Sequence, residues 1–171
     1  FIPMISDGED NFEFLPDENK DIPILALRNV VLFPEVVLPV SLGRKKSLMA
    51  IRSAYKKGTL VGVFTQKRAS VEDPSREDLY SVGTIAQVIK VLELPDGSTS
   101  AILQGKKRIL LDSMTLSKPF NRGTVSPLED IKPTEDETVE FNALLEAIKD
   151  TAIRIIKGSN SMPPEATFAV K

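Results

Sequence analysis

DIPILALRNVVLFPEVVLPVSLGR, residues 21–44, holds two apolar runs, Ile22 to Leu27 and Val36 to Leu42, joined through Phe33-Pro34 and closed by Gly43. Both are short and bounded by turn formers, so they read as buried strands. Pro34 and Pro39 confine the second run to an edge or a bulge, because proline donates no ladder hydrogen bond. A helix is predicted next, from about Lys45 to Lys57, with Leu48, Ile51 and Tyr55 on one face. Gly58 stands where a left-handed residue ends helices.

Working outward, Thr59 to Gln66 reads as a buried strand and the polar stretch Lys67 to Tyr80 as a surface loop. Val82 to Leu94 and Ser98 to Gln104 are predicted strands joined by Pro95-Asp96-Gly97, where Asp-Gly supplies the positive φ angles of a tight hairpin turn. Gly105 is expected to break the second arm, with a strand resuming from Arg108 to Asp112 and a last one near Asn121 to Pro127. Thr134 followed by Glu137 predicts a capping box that opens a helix of about six turns. Its stripe is Val139, Ala143, Ala147, Ile148, Ala152, Ile155 and Ile156, widened by Phe141 and Leu145, and Gly158 ends the pattern. That stripe is expected to pack partly on the β-rich part and partly on helices beyond this chain, since SNSMPPEATFAVK reads as a loop entering a further helix.

The fold class is therefore α+β. Residues 1–20 are expected to be a mobile acidic arm, 21–130 a β-rich lobe with one packed helix, and 131–171 the first long helix of a helical lobe cut short. A chain that opens on Phe1 and stops at Lys171 is expected to be part of something longer.

The formal net charge of −2 conceals segregation. Residues 1–21 carry seven acids and one base, 22–127 carry sixteen bases and eight acids, and 128–150 carry eight acids and two bases. Only the middle is basic, and evenly spread surface charge accounts for it more simply than a polyanion partner does. No run approaches the ~20 apolar residues that span a bilayer. With no cysteine there is no disulfide framework, which fits a reducing compartment and makes the cytoplasm the expected location.

The absence of histidine removes Ser-His-Asp and Cys-His catalysis and the ordinary zinc sites. A Ser-Lys dyad needs no histidine, yet no lysine sits in an apolar frame that would lower its pKa. Neither GxxxxGK[ST] nor GxGxxG occurs, so no nucleotide site is read. Asp7, Glu9 and Asp10 lack calcium-loop spacing. Glu135, Asp136 and Glu137 belong to a helix start, where acids complement the dipole. No catalytic residue, cofactor or metal ligand is assigned.

Several segments resemble, in order, the N-terminal substrate-recognition domain of the ATP-dependent Lon proteases. PILALRNVVLFP from Pro23 to Pro34 is similar to the family's opening, and Gly43-Arg44 with Ser47 to the segment before its first helix. Asp78-Leu79-Tyr80 with Val82-Gly83-Thr84 resembles its inner strand, Leu94-Pro95-Asp96-Gly97 its hairpin turn, and Gly105 with Arg108 the Gly-x-x-Arg that follows. Ala26 and Glu35 depart from the family, which often has proline and histidine there. The resemblance implies a PUA-like barrel lobe followed by a helical lobe. It also implies a parent that is a homohexameric ATP-dependent serine protease, whose ATP, magnesium and Ser-Lys peptidase lie beyond Lys171.

The expected function is then non-catalytic: capture of unfolded, damaged or tagged polypeptides, and of adaptor proteins, for an ATPase ring. Such a receptor needs exposed apolar surface. Phe33, Pro34, Val36 and Val37 are the first candidates and Leu94 and Pro95, at the hairpin tip, the second. Two rival readings are an RNA-binding PUA-like domain, with Lys106-Lys107-Arg108 as its basic element, and a free-standing interaction scaffold. Against RNA, stacking aromatics are not interleaved with the bases, and the acidic arm competes with phosphate. The domain alone is expected to be a monomer or a weak dimer, because an apolar stripe deprived of its partners can pair with its own copy.

Overall fold

Ile22–Leu27 (β1) alternates its side chains between two hydrophobic clusters, Leu25 and Leu27 entering one, Ile22 and Ile24 the other. Val61–Thr65 (β3) lies parallel to it, Ile24 opposite Gly62, and divides likewise, with Val61 and Val63 to the first cluster and Phe64 to the second. A parallel pair covered on both faces reads in sequence as a continuous apolar run, which is why both segments lack polar alternation. The computed structural model describes residues 21–115, 118–131, 133–134, 137–159, 167 and 170. The arm expected over 1–20 and most of the stretch after Ser159 lie outside them.

The remaining strands are Val37–Ser41 (β2), Val82–Glu93 (β4), Thr99–Thr115 (β5) and Arg122–Pro127 (β6), and the helix between β2 and β3 is Lys45–Lys57 (α1). The sheet order is β2-β5-β4-β3-β1-β6, and β6 pairs with β5 as well as β1, so five strands close into a barrel. Its interior is the second cluster: Ile22, Ile24, Phe64, Leu79, Ile85, Ile109, Leu111 and Val125. Phe64 fills the centre because Gly83 makes room; a Cβ there would stand 2.4 Å from the ring. The first cluster lies on the outer face of β1, β3 and β4, beneath Ile51 and Ala54 of α1, Val40 and Leu42 from the β2 segment, and Leu32. The architecture is α+β, as expected.

Several details differ from the sequence reading. β5 does not break at Gly105. It continues to Thr115 and absorbs one extra residue, Lys106, as a bulge between the pairs Ala86–Gly105 and Ile85–Lys107. Pairing along both arms of a long hairpin outweighs the local weakness of glycine. In the hairpin, Gly97 N–H donates to Leu94 O at 2.9 Å and only Gly97 has positive φ, so the loop holds three residues rather than a two-residue Asp-Gly turn. Tyr55 is exposed, and α1 buries Ala50, Ile51 and Ala54 instead. The stretch Lys67 to Tyr80 is partly internal: Leu79 and Pro74 are buried, and Arg76–Asp78 forms a 3-10 turn.

The described residues divide into two units between Glu129 and Asp130. In the second, Thr138–Gly158 (α2) is a helix of 21 residues, none of them buried. Val139, Phe141, Leu144, Leu145, Ile148 and Ile155 are exposed. The capping box is half formed: Glu137 accepts from the Thr134 N–H and hydroxyl, but Glu137 is itself helical and α2 begins one residue later. Glu135 and Asp136 lie outside the described residues.

Candidate functional site: an apolar ridge fixed across the barrel

The segment between β1 and β2 crosses the outer face of three strands and is tied down on each. Thr65 Oγ1, at the end of β3, donates to Val30 O at 2.8 Å, and Thr84 Oγ1, on β4, donates to Leu32 O at 2.6 Å. On β5, Gly105 N–H donates to Val36 O at 2.9 Å and Gly105 O accepts from Glu35 N–H at 3.2 Å. The approach over β5 is close enough to exclude a side chain: a Cβ on Gly105 would stand 2.2 Å from Phe33 O. Glu35 takes φ 64° to bring the chain from this crossing into β2.

These anchors set which side chains face outward. Leu32, whose own carbonyl is held by Thr84, is 3% exposed and belongs to the outer-face cluster. Its neighbours Val31 and Phe33 turn away from the barrel and are 51% and 55% exposed. A valine and a phenylalanine are thus held in water on a backbone fixed at three places.

The register extends this surface. Val63 lies opposite Thr84, and Thr84 opposite Arg108, so all three share the outer face. Two residues further along, Val82 pairs with Leu110 on that same face, beyond the reach of the covering segment, and they are 48% and 37% exposed. Tyr80, the neighbour of fully buried Leu79, is 54% exposed beside them. Lys106 and Lys107 immediately precede Arg108 on β5.

Of the residues anticipated from sequence, Phe33 is exposed and Pro34 is partly buried beside it. Val36 packs against the outer-face cluster, and Val37, half-buried in β2, alternates to the opposite side. Leu94 and Pro95 are exposed, but they lie at the hairpin tip, where Leu94 faces Ser98, seven residues along that arm from the Gly105 crossing, about 24 Å at ~3.4 Å per residue. The six candidates therefore form two separate places. Val31, Tyr80, Val82 and Leu110 escaped the sequence reading. Period-two alternation around Leu32 could have marked Val31, but the other three needed the register.

A polar cluster holds the adjoining loop. The Arg44 guanidinium donates to Gln66 Oε1 at 2.8 Å, to Glu72 O at 3.2 Å and to Ala26 O. Burial first, and Arg28 second, lower its pKa. Lys46 pairs with Asp73 at 2.6 Å, and Arg76 donates to Leu111 O at 2.7 Å. Within the loop, hydrogen bonds from the Ser75 N–H and hydroxyl hold the Asp78 carboxyl below its ordinary range. These arrangements bind protein to protein. Among the described residues, no group of three or more His, Cys, Asp or Glu could hold a metal ion, and no helix is long and apolar enough to cross a membrane.

The barrel with its packed helix is the fold of solved Lon N-terminal domains. The N-terminal domain of a Mycobacterium avium complex Lon protease superposes with a TM-score of 0.68 at 19% identity, over 88% of this chain and 74% of that one. A Lon N-terminal domain protein from Xanthomonas campestris gives 0.56 at 18% identity, over 77% and 72%. Residues 21–170 match the ATP-dependent protease La (LON) substrate-binding domain, and the chain belongs to that family. It is 42% identical to the Lon protease of Flavobacterium johnsoniae over 99% of its length, and 46% identical to that of Parabacteroides distasonis over 95%. It spans 21% and 20% of those two relatives, about a fifth of each.

Proposed function

We propose that this chain is a non-catalytic receptor that captures unfolded, damaged or tagged polypeptides for a Lon-type ATP-dependent protease. The observation that carries the reading is the ridge: Val31 and Phe33 are exposed on a backbone held by Thr65, Thr84 and Gly105. A client that has lost its own core presents apolar side chains, and a rigid apolar ridge binds them with little ordering cost on the receptor side.

Contact through side chains is favoured over strand addition. Leu42 N–H donates to Thr99 O, and the ladder alternates from there, so the N–H groups of Leu38 and Val40 face β5 while position 39 faces the open edge. That position is proline, and an added strand would find no donor at the centre of a five-residue edge. Family membership and the substrate binding for which the matching domain is named also support the reading.

On this reading adaptor proteins share the surface, the chain works in the cytoplasm, and a homohexameric parent brings several copies around one pore. ATP, magnesium and the peptidase belong to other parts of such a protease. The sequence has no phosphate-cradling loop, the residues present do not fit a nucleotide, and no step here depends on one.

The test is Val31→Ser with Phe33→Ser in the 171-residue chain, titrated with a permanently denatured client. Losing the burial of one phenylalanine corresponds to about 1.5–3 kcal/mol, so affinity falls about tenfold or more. Unchanged affinity in a folded variant refutes the ridge as the contact.

A further inference from the structure

We propose that the outer face of the barrel is occupied by the chain's own N-terminal segment. In this inference Glu9 to Glu18 lies along Val31, Phe33, Val82 and Leu110 as an internal competitor of client. It rests on the reading of this surface as a polypeptide site. The segment reads EDNFEFLPDE, in which Phe12, Phe14 and Leu15 stand among five acids with no base. The surface is its complement, apolar side chains on the ridge and on the Val82–Leu110 pair, with the base Arg108 in the adjacent outer-face row. Apolar residues flanked by acid on one side, and by base on the other, give such a contact both affinity and register.

The connection is short enough. β1 begins at Ile22, which pairs with Gly123 on β6; three residues further along β6, Ser126 pairs with Leu110. Two strand spacings of about 4.8 Å and three residues of about 3.3 Å separate Ile22 from Leu110, a span of about 14 Å. Phe14 lies eight residues before Ile22, and an extended chain of that length reaches about 26 Å. The segment therefore reaches Leu110 and its partner Val82 with slack, and Phe12, ten residues before Ile22 with a reach of about 33 Å, carries it on toward the ridge. The surplus of slack keeps the effective concentration high without forcing occupancy, which suits a competitor that must yield to client.

Because the chain has no cysteine, a nitroxide can be placed at one site by Asn11→Cys, a position that is neither acidic nor aromatic. The expected result is selective broadening of the backbone amides of Val31, Phe33, Val82 and Leu110, with the hairpin at Asp96 unaffected. Phe12→Ser with Phe14→Ser in the labelled chain should abolish it. The same pair of substitutions should raise the affinity for a denatured client by about two- to tenfold, because the binding-competent fraction rises. Broadening spread evenly over the surface, or absent from it, overturns the proposal. So does broadening that appears only when labelled chains are mixed with isotope-enriched unlabelled ones, since the occupant is then a second copy. The nitroxide measurement uses no client. Selective broadening with no effect of Phe33→Ser on client binding defeats the receptor reading alone, whereas no broadening with a lost client defeats only this inference.

Discussion

Gly105→Ala is the sharpest probe of how the ridge is held. Gly105 has no positive φ, so alanine fits its backbone and, away from any neighbour, would stabilise the chain by about 0.4–1 kcal/mol. The neighbour decides the sign. The new Cβ would stand 2.2 Å from Phe33 O and 3.1 Å from Thr84 Cγ2, and ordinary contact begins near 3.4 Å, so the crossing backbone must lift by just over 1 Å. Such a shift disrupts the bonds of Gly105 to Val36 and Glu35, now 2.9 and 3.2 Å, each contributing about 0.5–1.5 kcal/mol. It also begins to expose Leu32, whose full burial is worth about 1.5–3 kcal/mol. The net expectation is a loss of about 2–4 kcal/mol. Both tyrosines, Tyr55 and Tyr80, lie in the barrel unit and none follows Glu129, so dichroism in urea read at the tyrosine band, clear of the phenylalanine bands to which Phe141 contributes, reports that unit. With a slope of about 2 kcal/mol per molar, the midpoint should fall by about 1–2 M. Gly43→Ala, where nothing lies within 4 Å, is the control and should shift slightly upward or not at all. A midpoint for Gly105→Ala equal to that control would refute the close crossing, and with it the fixed presentation of Phe33.

Two further outcomes test the neighbouring loop. Arg44→Lys keeps the charge but cannot fork to Gln66, Glu72 and Ala26 together, so the barrel unit should lose about 1.5–3 kcal/mol, read by the same tyrosine signal; an unchanged midpoint would show the cluster to be ornamental. The Asp78 carboxyl, held below its ordinary pKa by Ser75, contributes stability that is complete above that ordinary value and is lost as pH falls through the lower folded one. Ser75→Ala keeps the N–H donor and removes only the hydroxyl, so it should move the carboxyl 13C titration midpoint of Asp78 part of the way up toward the ordinary value, and a midpoint that stays put or falls contradicts the hydroxyl's share of the cause.

How far the sequence carried follows from where each signal resides. β1, α1 and its Gly58 cap were legible because their information is local: an apolar run of strand length, a 3.6-residue period and a glycine at the helix end. The family was legible from residues that the fold cannot easily exchange, among them Gly105 under Phe33 O and Gly83 under Phe64. β5 was misread for a related reason. A glycine in an extended run reads as a break, whereas here it marks the place where another backbone passes overhead, a contact 72 residues away in the chain. The ridge was half legible, since Phe33 stood out beside Pro34 while Val36, judged by hydrophobicity alone, belongs to the core.

What the sequence could not carry is the division of one sheet face into covered and uncovered parts. α1 covers the face over β1, β3 and the Ala86–Val88 part of β4, the Val30 to Val36 segment covers it at Thr84 and Gly105, and the covering ends before Val82 and Leu110. Each of those two residues looks like any other alternating strand residue, and only their common row, next to an anchored segment carrying Val31 and Phe33, makes them a surface. The closed barrel supplies the rest: β4 and β5 cannot slide without emptying the space that Phe64 and Leu111 fill on the inner side. The inner core therefore fixes the register that places the outer patch, and substitutions around Phe64 should alter client binding only by first altering stability.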